Sequence, residues 1–375
     1  MKRTMIAISV CLLVVAFAGT TFAQEKQVWV SDGTPASAPA GQPKPAAPMP
    51  PPPPPPAPGN LQTWSSFFTF GGNAFPFTMV GTDPTQAGAG TTNVPVVIIP
   101  LVFVFGNTFV TPTASSCGDT VSVISRVQNS PLFTTGVTWL EGNTVVGVTQ
   151  FTDAFQRANF WQYVGTISPD YHVMLNPVQM ANPIMVNVPA NQGGLMGLAC
   201  AGHPIGGVSK AYLDGVVVPQ IIANLGIQPG TLPLFLTYDI ADLLGGGAFF
   251  LGYHNAMGNG QTYAVSSYVD PGLLNLPVAD ISVLSHELGE WMDDPFGNNR
   301  VPPWGHVGQV QGCQADLEVG DPLSGTNSVV TTPGFNYHVQ DLAFFSWFAR
   351  LNPSIAVNGW YSTLNTFPAP PPVCQ

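Results

Sequence analysis

The sequence predicts an α/β fold, a mixed β-sheet with helices, and three observations lead there. Val94 to Phe105 is a β-branched and aromatic run of strand character. From about Leu61 onward, strand-like pieces alternate with helix-like ones, over a length that suits one large domain or two intimate ones. Near Val278 to Asp293 the apolar residues switch to helical spacing: Ile281, Leu284, Leu288 and Trp291 fall on one face at about 100° per residue.

Residues 1–23 have the layout of an export signal. Lys2 and Arg3 form a charged start, Ile6 to Ala18 is apolar, and Thr21-Phe22-Ala23 offers small residues around a bulky one. The apolar run is too short for a transmembrane span, and no later stretch is long and apolar enough to make one. Residues 24–60 are Pro/Ala-rich, with seven consecutive prolines from Pro50 to Pro56. Such a linker favours extended polyproline II and builds no core. Residues 61–375 are then the globular domain. A secreted, extracellular or periplasmic location is the expectation.

Within the globular part, Pro95 and Pro100 interrupt the Val94–Phe105 run, which reads as a buried strand with a bulge or an edge. Asp119 to Gln128 and Thr152 to Trp161 read as helices. Tyr171 to Leu175, Leu234 to Tyr238, Ala248 to His254 and Thr262 to Val269 read as strands. The last two flank a Gly/Asn-rich turn and predict a hairpin. A further helix is expected from about Val339 to Arg350. Its aromatic residues, Phe344, Phe345, Trp347 and Phe348, suit a core, whereas Trp304 and Trp360 in loops are the better sugar-stacking candidates.

Removing the signal leaves Cys117, Cys200, Cys313 and Cys374. An even number in an exported chain suggests two disulfides, with three pairings open. Sequence proximity favours Cys117–Cys200 and Cys313–Cys374. None of the spacings is that of a zinc ribbon or a redox motif.

Charged residues make up 8% of the chain against a usual quarter, and the net charge is −11. Without a basic patch, nucleic acid is not an expected partner. Eight of the 20 acidic residues lie between Asp280 and Asp321, which in so uncharged a chain asks for a cation or a function. On the 278–293 helix, His286, Glu287, Glu290, Asp293 and Asp294 oppose the apolar face. His286 and Glu290 are four apart, so both can reach one ion, and Glu287 can face water beside it. This is the H-E-x-x-H arrangement with glutamate in place of the second histidine. A solvated acidic helix face also produces H-E-x-x-E by chance. A third ligand is available in Leu317-Glu318-Val319-Gly320-Asp321.

The stretch Ile281-Ser282-Val283-Leu284-Ser285-His286-Glu287-Leu288-Gly289-Glu290, then Asp294-Pro295, then Glu318-Val319-Gly320-Asp321, with Gly252-Tyr253-His254 upstream, resembles the phosphate-induced, EXORDIUM-like plant proteins and related secreted bacterial proteins. The likeness covers about 70 residues, Gly252 to Asp321. The sequence departs from it at Pro322, where the plant pattern soon reaches cysteine, and in an insertion around Pro302-Pro303-Trp304. More widely, the stretch is similar to zincin metallopeptidases of the gluzincin kind. That resemblance implies a zincin-like core around residues 250–325 and a divalent metal, zinc by preference. It also implies His286, Glu290 and Glu318 as ligands, with Asp321 orienting His286. Glu287 would be the general base, and His254, on a strand bordering the cleft, would stabilise an oxyanion or hold the site. One histidine and two carboxylates leave a divalent ion formally neutral, so water is acidified less than at a two-histidine site. The expected function is a secreted metal-dependent hydrolase, a zincin-type peptidase acting on peptide or cell-wall polymer. The alternative is a non-catalytic extracellular or cell-wall-associated binding protein with a structural metal.

Overall fold

The computed structural model describes residues 59–374, so the signal segment and nearly all of the proline-rich linker lie outside the described residues. The architecture is mixed α/β and strand-rich. Its centre is a seven-stranded sheet built on the long strand Thr91–Phe105. That strand pairs in parallel with Leu232–Tyr238 on one side, and with His172–Met180 and then Ile184–Asn187 on the other. Thr262–Tyr268 adds in parallel to Leu232–Tyr238, and Gly252–Ala256 closes that edge antiparallel.

The proline-interrupted run is therefore the middle of the sheet, and Pro95 sits at the register shift between Val94 and Val96. Alternation along the strand explains why it is apolar on both faces. Val94, Val96 and Ile98 enter one core cluster, whereas Ile99, Leu101 and Phe103 enter another on the opposite face. The first face is covered by the helices Phe151–Asn159 and Ser282–Asp293, which contribute Phe155, Ala158, Leu284, Leu288 and Trp291. The second is covered by Val218–Leu225 and the turn before it, through Val217, Val218, Ile221 and Ile222. No helix among the described residues is long and apolar enough to cross a membrane.

Several expectations are met with trimmed ends. The helix Val123–Gln128 falls inside its predicted span, and Phe151–Asn159 starts one residue before its own and ends two earlier. The hairpin is present, but the strand predicted over 248–254 is two strands in different sheets. Ala248–Phe250 pairs with Ile240–Gly245, and Gly252–Ala256 pairs with Thr262–Tyr268. The helix predicted from 339 is a correction. Phe335–Gln340 is a strand, antiparallel to Asn327–Thr332, and only Phe345–Phe348 is helical. Tyr337 and Val339 alternate inward there, and the Gln340 N–H is held by Ser285 Oγ at 2.9 Å. Trp304 is also corrected: it is fully buried against Trp347 and Phe348, out of reach of a sugar. Phe344, Phe345, Trp347 and Phe348 are core.

The cysteines pair as Cys117–Cys200 and Cys313–Cys374. The second bridge spans 61 positions and ties the C-terminal segment to the strand Val310–Asp316, which leads into the acidic turn. Removing it with Cys313→Ser and Cys374→Ser together should cost about 4 kcal/mol, the loop-closure entropy of a crosslink of that reach. Chemical denaturation of the double variant beside the parent measures this, and an unchanged midpoint would count against it.

Candidate metal centre

Helix Ser282–Asp293 is buried over all 12 residues, its carboxylates included. A solvated acidic face is thereby excluded. Glu290 is 0% exposed, Glu287 3% and His286 6%. The helix packs against Gly252–Ala256 and Thr262–Tyr268 on the sheet and against the strand Phe335–Gln340. It starts at Ser282, later than the Val278 predicted, and Ser282 Oγ accepts the Ala279 N–H at 3.1 Å. At its far end the Asp294 carboxylate accepts the Asn298 and Asn299 N–H groups, both at 2.9 Å. Asp293 is bound by Gln156 and Asn159 of the neighbouring helix and does not reach the site. Asp280 is taken by His338, 2.6 Å from its ring. Three acids of the sequence cluster, Asp280, Asp293 and Asp294, thus serve the frame.

What remains is a tight set. His286 Nε2 lies 3.1 Å from Glu290 Oε1 and 3.5 Å from Asp321 Oδ1. These three donor atoms lie within 4.8 Å of one another, close enough to share a metal ion. The tautomer of His286 follows from its other nitrogen. Gln340 Nε2 donates to the Gly320 carbonyl at 2.6 Å, so Gln340 Oε1 must accept from His286 Nδ1–H at 3.1 Å. The neutral ring then points the Nε2 lone pair at two carboxylate oxygens. Only a cation, or a second proton on the ring, makes that arrangement favourable.

The acidities say the same. Burial alone would lower His286, but Glu290, Asp321 and Glu287 lift it well above the ordinary histidine range. Burial would raise Glu290, but His286 and His254 hold it below the ordinary range. Burial pushes Glu287 up to about 7 and Asp321 up to about 6. Glu318, pressed among Glu290, Asp321, Asp294 and Asp316, is pushed well above the carboxylate range, chiefly by burial.

The structure brings together His286, Glu287, Glu290, Asp321 and His254, all named from sequence. Asp321 is in the set with His286 and Glu290, where Glu318 was expected. Glu318 is buried beside them with Oε2 unpartnered, and it belongs to neither His/Glu set at this helix. Asp321 is itself held by Gln309 Nε2 and by Gln314 Nε2 at 2.9 Å. The residue that orients His286 is Gln340, not Asp321. Sequence reasoning missed Gln340, Gln309 and Gln314, because a lone glutamine far along the chain carries no spacing signal.

Two glycines let the parts approach. Gly252 and His254 share one face of their strand, and a Cβ on Gly252 would stand 2.8 Å from Glu287 Cγ. Gly320 lies against the His286 ring in the same way. A pocket lined by Phe250, Gly252, Val278, Val283, Gln309, Ser324, Gly325 and Gln340 reaches His286 and Glu287, which face it together. Against protein families, curated proteins and solved structures, the chain shows no match.

Proposed function

We propose that the chain is an exported metal-dependent hydrolase with a zincin-like core, acting on peptide or on cell-wall polymer. The observation that carries the reading is the His286 Nε2 lone pair turned toward Glu290 and Asp321 in a buried site. His286, Glu290 and Asp321 would hold the ion, and their nitrogen and oxygen donors suit a divalent cation such as zinc. When bound, such an ion supplies Lewis acidity and eases the ionisation of water. Glu287 Oε1, 3.9 Å from His286 Nε2 and on the pocket wall, is placed to accept a proton from water there. Before an ion binds, burial raises its pKa toward neutrality. Phe250, Val278 and Val283 offer an apolar wall for a substrate side chain.

Glu287→Gln should lower hydrolysis on the order of 10²- to 10⁴-fold and leave the ion at His286 in place. The amide keeps the size of the side chain but takes no proton. Turnover of a peptide library together with elemental analysis reads both outcomes. A second reading, a non-catalytic binding protein with a structural ion, draws on the depth of the site, where His286 and Glu287 are only 6% and 3% exposed. Under it, Glu287→Gln would be silent, and the wild-type protein would hold its ion yet cleave nothing.

A further inference from the structure

Glu290 presents its two oxygens to two different histidines. Oε1 faces His286, as described, and Oε2 stands 3.8 Å from His254 Nδ1. Glu287 Oε2 stands 3.7 Å from the same nitrogen. His254 Nδ1, Glu287 Oε2 and Glu290 Oε2 are all buried, and none has a hydrogen-bond partner. His254 is 4% exposed, Glu287 3% and Glu290 0%. The ring proton of neutral His254 is already placed. Nε2–H donates to the Asp294 carbonyl at 3.0 Å, an atom that can only accept, so Nδ1 turns a lone pair inward. Three lone-pair-bearing atoms thus surround one point in a water-poor interior.

The separations decide what belongs at that point. At 3.7–3.8 Å a proton on Nδ1 would be too far to satisfy either carboxylate. Two donors that far apart do fit one cation with ligand bonds of about 2.1–2.4 Å. The donor set, one imidazole and two carboxylates, suits a divalent first-row ion such as Zn²⁺ or Mn²⁺.

We propose that His254, Glu287 and Glu290 hold a second divalent cation, and that Glu290 bridges it to the ion at His286 and Asp321. The inference rests on the metal-centre reading above and extends it from one ion to a carboxylate-bridged pair. It accounts for the shared geometry: the two sets of converging donors have Glu290 in common, one oxygen to each. It also gives Glu287 two tasks, a ligand through Oε2 and a pocket-facing group through Oε1.

The test uses the full chain, stripped with a chelator and dialysed against Zn²⁺, with ions per chain counted by elemental mass spectrometry. Wild type should hold two, and His254→Gln, which keeps an N–H for the Asp294 carbonyl, should hold one. Glu290→Gln should lose both. Wild-type protein saturated with Mn²⁺ needs no variant: a bridged pair broadens away the six-line paramagnetic resonance spectrum of an isolated ion. One ion in wild type, a His254→Gln protein that keeps two, or an isolated six-line spectrum at saturation overturns the pair. One ion in wild type leaves the single-metal reading standing, whereas none removes both.

Discussion

His286→Ala is expected to leave the protein with one ion fewer than wild type and to shrink the gain in stability that metal confers. An ion that binds the folded chain and not the unfolded one stabilises by mass action, about 4 kcal/mol when free metal is a thousandfold above its dissociation constant. For a chain of this size that is roughly 8 °C in the midpoint of thermal unfolding. The alanine also releases Gln340, whose Oε1 loses the Nδ1–H donor and stays buried. Calorimetry with and without chelator separates the two effects. The gap between loaded and chelated protein should narrow in the variant, and a gap equal to that of wild type would refute the ligand assignment.

Gly320→Ala is expected to be nearly as damaging without touching a ligand. Gly320 has ordinary right-handed backbone angles, φ −85° and ψ −34°, so alanine meets no backbone strain there. The objection is space: the added methyl falls on the His286 ring. The same residue donates its N–H to Glu290 Oε1 at 3.1 Å and accepts from Gln340 Nε2. A shift of Gly320 therefore moves two ligands and the group that fixes the histidine tautomer. Ion affinity should fall about 100-fold, with a loss of about 1–3 kcal/mol from overpacking. Gly289→Ala is the control. Its Cβ meets only the flexible end of Leu342, at 2.5 Å, so it should cost stability and spare affinity. Isothermal titration of both variants decides the matter, and equal affinities would show that Gly320 is not part of the site's support.

How far the sequence discloses this molecule depends on the range over which each signal acts. The pair His286 and Glu290 is legible because a helix places residues four apart side by side. Val94–Phe105 is legible because a strand buried on both faces has no polar positions to alternate with. The identity of the third donor is not. Glu318 and Asp321 lie three apart, Glu318 in irregular chain and Asp321 at the start of a 3₁₀ turn, and which one meets His286 depends on Gln309 and Gln314 capturing Asp321. The helix expected from Val339 fails for a similar reason. Its aromatic residues suggested one continuous buried helix, but Asp341 interrupts it. That side chain gathers Ser362, Thr363 and Thr366 from a distant segment. Even the helix that is predicted correctly carries a surprise, since its polar face is as buried as its apolar one. Amphipathic spacing reports which residues differ and says nothing about whether the polar side meets water or a buried site.

The candidate donors come from an edge strand at His254, a helix at His286 and Glu290, and a turn at Asp321, and His286 is oriented by Gln340 on a strand later still. A chain read out from its N-terminus holds no complete cage until the last of these has emerged and docked. On the proposed metal reading, cation uptake would come late in maturation, since a half-assembled chain offers carboxylates but not the fixed imidazole. The supply that matters is the one in the compartment where folding finishes. Loading would then be a readout of correct assembly, and a chain starved of metal there would persist as a folded frame around mutually repelling acids.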